Sequence, residues 1–472
     1  MLQNYVKIAW RNLLRHKAFS AINLVGLAIG MAACLLILQY VAFELSFDNF
    51  HEKGDRIYRV RQDRYDAGKL STEWVSGAYA VGNSFKDAFN EIEDYVKVVG
   101  SGSVVAEVQG GEQVKIEKVY FASKAFFTVF SYPLIAGDAR TALTEPNTVV
   151  LSETVANKLF GSASPLGKTI QVNGKQAVKV TGVYADFPVN SHMKPDLLRS
   201  YATYLKDMGP DNNPETAWTW DGCLTYLLLR PGTDPQALSA KFPRVVDKLV
   251  GAELKKYNAA AIYTLQPLRD IHLYSHYMGE PGPTGDGKTT YLLLGIAFFI
   301  AVIAWVNYIN LATARAVNRA KEVGIRKTIG SERRQLIVQF ISESALLNLL
   351  GLILALLIVL VAIPGFNKIS GQELSFSLFL TTKFWLSLAA LFVVGVFFSG
   401  LYPAFVLSGF KPIEVLKGKM IATKQGALLR KSLVVLQFAA SLFLLIGTVT
   451  VYQQIRFMRK QALGIDIDQT LV

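Results

Sequence analysis

At 472 residues the chain is long enough for more than one folding unit, and 51% hydrophobic residues is high for a soluble protein. A net charge of +13 has the size of a nucleic-acid footprint, but residues 44–289 hold 27 basic against 29 acidic side chains. The remaining 22 basic and 7 acidic residues lie beside apolar runs, where they orient spans and meet anionic lipid, so no nucleic-acid partner is expected. Of the two cysteines, Cys34 sits in an apolar run and Cys223 in the polar region, which leaves no thiol metal cluster and no disulfide.

In residues 1–17, Leu2, Tyr5, Val6, Ala9, Trp10, Leu13 and Leu14 recur at helical spacing, with Lys7, Arg11 and Arg15 on another face. The pattern predicts an amphipathic helix lying at the cytoplasmic membrane surface. Residues 18–43 form the first span. The run exceeds a signal-peptide core and has no convincing small-residue cleavage site, so it stays uncleaved with its N-terminus in the cytoplasm. Gly26 and Gly30 within it make a small-xxx-small pattern suited to close helix packing.

Residues 44–289 read as an α+β extracytoplasmic domain. Strand-like pieces fall at 57–64, 95–99, 224–229 and 262–268, with helical stretches at 80–91 and 235–256. Two strand-helix-strand halves suit a ferredoxin-like lobe, and residues 103–185 look like an inserted, strand-rich second lobe. Its hairpin signals are Gly110-Gly111 and Asn173-Gly174, the latter a strong type I′ turn. Three features here imitate chemistry. Residues 282–289 fit the phosphate-loop pattern letter for letter, but Tyr277-Met278-Gly279-Glu280-Pro281 before them is no buried strand and the helix that follows is a membrane span. His272 and His276 stand four apart near Asp270 without the glutamate of a zinc helix, and Ile271-His272-Leu273 reads as a strand end. The carboxylate pairs Glu91/Glu93 and Asp207/Asp211 belong to solvated faces. No catalytic, metal or cofactor residues are assigned.

The second span, residues 290–314, carries Trp305, Asn307 and Asn310 near its inner end, where polar groups bond to neighbouring helices. Residues 315–335 follow as a cytoplasmic loop. The third span, 336–363, holds Glu343, which is expected to reach the interface or to bond to Asn307 or Asn310, there being no titratable partners for a proton relay. An outside loop at 364–383, a fourth span at 384–405, a basic cytoplasmic loop at 406–432 and a fifth span at 433–452 complete the α-helical membrane part. Residues 453–472 begin a second outside region. The spans themselves are Leu, Ile, Val, Ala and Phe, with no evident polar pathway for a solute.

The loop after the second span carries seven Lys or Arg against two Glu between Arg315 and Gln339, with Val323, Ile325 and Ile329 interleaved. On pattern alone it is a topogenic loop, or a face that docks on a partner or on lipid headgroups. Glu322-Val323-Gly324-Ile325-Arg326-Lys327, then Gly330, Arg333-Arg334, Gln339-Phe340 and Glu343, resembles the signature loop of FtsX-like ABC transporter permeases, which include the macrolide-exporter (MacB-type) and lipoprotein-releasing permeases. Phe47-Asp48-Asn49-Phe50-His51, residues 126–134, Leu166-Gly167-Lys168 and Tyr402-Pro403-Ala404-Phe405 follow the same family's wording.

The resemblance implies a permease of the mechanotransmission type, not itself an enzyme, whose loop seats on a separate ABC ATPase subunit that binds the ATP. Val323, Ile325 and Ile329 would be apolar knobs, Arg326, Arg333 and Arg334 charge partners, and Gly324 and Gly330 tight turns, with Lys327 in the same interface. It implies residence in the inner membrane and, for an exporter, an adaptor and an outer-membrane duct as further partners. The alternative is a non-transporting FtsX-like scaffold that regulates a cell-wall hydrolase. Leu428-Leu429-Arg430-Lys431 echoes Leu13-Leu14-Arg15-His16-Lys17, as though a second copy of the unit begins. A truncated long permease, or a five-span form, is therefore expected, with a homodimer for a half-length unit and a pseudo-dimer for a duplicated one.

Overall fold

The computed structural model describes residues 2–15, 17–108, 110–314, 316–371, 382–408 and 424–461. It divides into two compact units, Met1–Ala42 with Thr289–Val472, and Phe43–Lys288. The first element, α1 (Leu2–Arg15), is amphipathic: Ala9 is buried, whereas Lys7, Trp10, Arg11 and Leu14 are exposed. α2 (Lys17–Glu44) is 28 residues long and apolar on nearly every side, roughly 42 Å at helical rise and so longer than the ~30 Å hydrocarbon core.

The second unit is α/β. In chain order it contains β1 (Ile57–Asp66), β2 (Lys69–Trp74), β3 (Gly77–Ala78), α3 (Val81–Ala88), β4 (Ile92–Glu107), β5 (Gln113–Ala122), α4 (Phe126–Val129), β6 (Leu134–Gly137), β7 (Thr148–Ser152), α5 (Glu153–Phe160), β8 (Thr169–Val172), β9 (Gln176–Tyr184), β10 (Leu197–Ser200) and α6 (Tyr201–Met208). β11 (Asp221–Leu229), α7 (Pro235–Ser239), α8 (Phe242–Lys256), β12 (Ala259–Pro267) and α9 (Ile271–Tyr274) follow. All twelve strands join one sheet in the order β12-β1-β11-β4-β5-β10-β7-β9-β6, with β2 on β1, β3 on β11, and β8 on β4 and β9. The β12-β1-β11-β4 pairs are all antiparallel, and β5/β10 and β7/β9 are parallel.

β4 is the shared element. Its first half pairs with β11, from Ile92 to Val99, and its far end with β5 and β8, so the chain crosses residue 103 without leaving the sheet. Each side keeps its own core. Phe85 of α3 stacks on Phe242 of α8, ring centres 4.2 Å apart, over β1, β11 and β12, while Val104, Ile116, Leu151, Ile170 and Val180 fill another. At the β8–β9 turn Asn173 and Gly174 both take positive φ, 54° and 64°, and Lys175 N–H donates to the Val172 carbonyl at 3.2 Å, the geometry a type I′ turn requires. Two expectations change. The helix expected at 235–256 is broken into α7 and α8 around Ala240 and Lys241, and Ile271-His272-Leu273 forms the short helix α9 instead of a strand end.

The remaining elements are α10 (Gly287–Ala314), α11 (Ala316–Thr328), α12 (Arg333–Ser370), α13 (Thr382–Ser408) and α14 (Lys424–Lys460). Among the described residues five helices, α2, α10, α12, α13 and α14, are each long and apolar enough to cross a membrane. Leu27, Met31 and Leu35 of α2, Ala297, Ala301 and Ala304 of α10, Leu347, Ala355 and Val359 of α12, and Phe384 and Leu388 of α13 share one core. In the apolar stretch of α14 none of the described residues is fully buried.

Each of these five helices runs past the bounds expected for its span at one end or both. α12 continues through Pro364 into the expected outside loop and stops at Gly371, whose φ of +68° caps it in the left-handed conformation. α14 likewise extends to Lys460, into the region expected to begin a second outside domain. Residues 372–381, 409–423 and 462–472, on which the rest of the expected loops fall, lie outside the described residues.

Candidate coupling site

The basic stretch expected as a loop at 315–335 is mostly helix. α11 takes up 316–328 and a short turn leads into α12. Lys, Arg, Glu and Ala are good helix formers, and Gly330 ends the run with φ +102°, a conformation that L side chains resist. Across this end Ile329 N–H donates to the Ile325 carbonyl at 3.1 Å and Ser331 N–H to the Arg326 carbonyl at 3.0 Å. α12 opens with a capping box in which the side chains of Glu332 and Gln335 each accept the other's backbone N–H.

Inside this frame the expected site residues separate into two sets. Gly324 is buried mid-helix and makes no turn, whereas Gly330 stands in one. Val323 is 2% exposed, packed with Leu336 and Phe340 of α12 and Ala404 of α13, so it is no free knob. The helical period puts Ile325 and Ile329 on another face, 51% and 80% exposed. Arg326 donates to Glu322 at 2.6 Å and to Gln339, and Lys327 Nζ to the Ser408 carbonyl at 2.7 Å, which ties α11 to α12 and α13. Arg333 lies exposed with its Nε 3.4 Å from Ser408 Oγ, and Arg334 is exposed beside it.

Behind this surface the bundle is less apolar than its sequence reads. Gln339, Glu343, Ser344 and Asn348 of α12 are all buried on neighbouring turns. Glu343 Oε1 accepts from Gln339 Nε2 at 3.0 Å and from Asn12 Nδ2 of α1 at 3.1 Å, not from Asn307 or Asn310. Ser344 Oγ meets Tyr308 Oη at 2.9 Å, and Asn348 Nδ2 donates to Ser399 Oγ of α13 at 2.9 Å. Asn310 Nδ2 instead donates to Gln437 Oε1 of α14 at 3.2 Å. The i, i+4 recurrence of Gln339/Glu343 and Ser344/Asn348 was the signal that could have revealed this stripe. A Cβ on Gly26 would lie 3.2 Å from Asn307 Nδ2 and one on Gly30 2.6 Å from Ala304 Cβ, so the small-residue seam packs on α10.

The features of the α/β domain that imitate chemistry have structural partners. A Cβ at Gly285, in the phosphate-loop look-alike, would stand 2.5 Å from Glu44 Oε2 and 2.9 Å from His272 Nε2. Those two side chains pair at 2.8 Å, buried, with His272 stacked on Phe47. A carboxylate in that position repels phosphate, and no strand leads into the loop. Glu91 pairs with Lys241 at 2.5 Å, and that bond holds its carboxyl below the ordinary range. Asp48, buried, pairs with His192 at 3.0 Å, whose Nε2 meets Tyr226 Oη at 2.9 Å. Among the described residues no three His, Cys, Asp or Glu side chains converge to hold a metal ion.

Residues 20–245 match the family described as MacB-like periplasmic core domain, and residues 294–412 that described as FtsX-like permease C-terminal. The uncharacterized ABC transporter permease YknZ of Bacillus subtilis (strain 168) is 23% identical over 74% of this chain and 83% of its own length. The uncharacterized ABC transporter permease YvrN of the same organism is 23% identical over 88% and 99%. The macrolide export ATP-binding/permease protein MacB of Pasteurella multocida (strain Pm70) is 22% identical over 87% of this chain, which spans 59% of that longer relative. Among solved structures, a domain of a putative permease from Porphyromonas gingivalis is 23% identical over 46% of this chain and 91% of its own, with a TM-score of 0.41. With a MacB-like periplasmic core domain followed by an FtsX-like domain and five span-length helices, the chain belongs to the FtsX/MacB-type permease family and is a multi-pass ABC transporter permease.

Proposed function

We propose that this permease is the lever of an inner-membrane ABC transporter of the mechanotransmission type, driven by ATP hydrolysis on a separate ATPase subunit. The basic excess beside the spans argues for α1, α11 and the N-terminus in the cytoplasm and for the α/β domain on the opposite side. Closure of an ATPase dimer pushes on α11 and its turn, and the spans pass the displacement to the α/β domain, which acts in export or extrusion. We also read its β12-β1-β11-β4 half as the ferredoxin-like lobe expected from sequence. This chain performs no chemistry in that scheme and binds no nucleotide.

The observation that carries the reading is the division of one short segment: Val323 and Gly324 are spent inside the fold, whereas Ile325, Ile329, Arg333 and Arg334 are left outward as an apolar pair beside two cations. An apolar anchor flanked by guanidinium groups is the composition of a protein-binding hot spot. The test is co-purification of the full chain, in detergent, with an ABC ATPase subunit co-expressed from the same organism. Ile329→Asp with Arg334→Glu should abolish capture while membrane insertion stays normal. Undiminished capture, or nucleotide bound by the isolated permease, sinks the proposal. A cell-wall hydrolase in the same eluate, in place of an adaptor or outer-membrane duct, would reassign the output from transport to the control of that enzyme.

A further inference from the structure

We propose that α1 is a moving part of the coupling device and that Glu343 is the positioning residue that ties it in. Three hydrogen bonds run in series: Arg326 of α11 donates to Gln339 Oε1, Gln339 Nε2 donates to Glu343 Oε1 at 3.0 Å, and Asn12 Nδ2 of α1 donates to that same oxygen at 3.1 Å. One carboxylate oxygen thus serves two helices. Gln339 and Glu343 are 4% and 6% exposed, which leaves little water to replace a partner that moves away, and a bond to a carboxylate is stronger than one between neutral groups. The apolar side of α1 is clasped as well, with Ala9 buried and Leu13 packed on the bundle core. Its other face, Lys7, Trp10, Arg11 and Leu14, is exposed.

A shift of α11 that carries Arg326 therefore reaches α1 through side chains, with no backbone route shorter than the whole domain-bearing chain between them. For the source of the force this rests on the coupling reading above, but the linkage itself is a property of this chain and is measurable without an ATPase. The probe is a nitroxide on Lys7→Cys in the full chain, reconstituted in lipid nanodiscs, with the two buried native cysteines replaced by serine.

Arg326→Ala should raise the ratio of mobile to immobile label by about threefold, the lower range of coupling within one hydrogen-bond network. Glu343→Leu should do the same alone, and the pair together should do no more. Asn12→Asp, which sets two carboxylates face to face, should free α1. Asn12→Asp with Glu343→Gln reverses donor and acceptor and should restore the immobile label, a rescue that general damage to the fold does not produce. Additive effects of Arg326→Ala and Glu343→Leu, a label indifferent to Arg326→Ala, or failure of the exchange to rescue overturns the linkage. Loss of ATPase capture by Ile329→Asp with the label response intact separates the two readings.

Discussion

Gly30 of α2 approaches Ala304 of α10 so closely that a Cβ on the glycine would stand 2.6 Å from the alanine Cβ. Both atoms are fixed to helix backbones, so no rotamer change relieves the clash. Gly30→Ala should cost about 1–3 kcal/mol as the helices part, and Ala304→Gly should recover much of it. A Cβ on Gly26 would meet the end of the Asn307 side chain at 3.2 Å, a group that can swing aside, so Gly26→Ala should cost less. Thermal denaturation midpoints in one detergent compare them, and equal losses at the two glycines would contradict the packing.

Acid should weaken the α/β domain through Asp48 and His51. Burial holds the His51 imidazole down to about 4 from an ordinary 6.5, and its Nδ1 accepts Ser131 N–H at 3.1 Å, which needs that nitrogen unprotonated. Burial pushes the Asp48 carboxyl up, but the charge of His192 and the bonds from it leave it below the ordinary value. Both groups bind fewer protons folded than unfolded, so stability rises with pH. For His51 the contribution is complete above 6.5 and is lost as pH falls towards 4, about 3 kcal/mol at most. Hydrogen-exchange protection of residues 46–60, taken relative to the intrinsic rate at each pH, should fall as the pH drops from 7 to 5, and His51→Phe should flatten that slope. An unchanged slope would remove His51 from the account.

Lys97, 1% exposed, donates from Nζ to Asn83 Oδ1 at 2.8 Å and to Glu215 Oε1 at 2.9 Å. Removing only the carboxylate leaves a buried ammonium without its countercharge. Glu215→Leu should therefore cost about 3 kcal/mol, the lower end for a broken buried pair because Glu215 is partly open to water. Lys97→Met with Glu215→Leu should cost less than Glu215→Leu alone. Urea midpoints measure the order, and simple additivity would mean the ion pair is not coupled.

What could be read from sequence alone is what depends on near neighbours. α1 declares its two faces within 15 residues, the spans declare themselves by length, and Asn173-Gly174 dictates its own turn. The remainder depends on distant partners. Val323 looks as available as Ile329 until Ala404 and Phe340 are folded over it, and the partner of Glu343 lies 331 residues away. β4 looks like a five-residue strand at 95–99 because Gly100 and Gly102 break its pattern, yet β5 and β8 hold it extended to Glu107. The basic excess of residues 315–339 was visible, but charge at the end of a span accompanies loop and helix alike, and the packing of α11 against α12 and α13 depends on residues far along the chain.

The two faces of α11 and its turn give opposite predictions for substitutions six residues apart. Val323→Ala opens a cavity among Leu336, Phe340 and Ala404 and should cost about 1–2 kcal/mol of stability, lowering ATPase binding only in proportion to unfolded chain. Ile329→Ala removes a side chain 80% exposed, so stability should stay within about 0.5 kcal/mol. Affinity for the ATPase should nevertheless fall about tenfold, the equivalent of 1.4 kcal/mol for an anchor at the edge of a docking patch. Titrating the ATPase onto nanodisc-embedded permease, beside a denaturation curve for each variant, separates the two effects. If Val323→Ala weakens binding in a fully folded chain while Ile329→Ala does not, the partner engages the other face of α11 and must displace α12 to reach it.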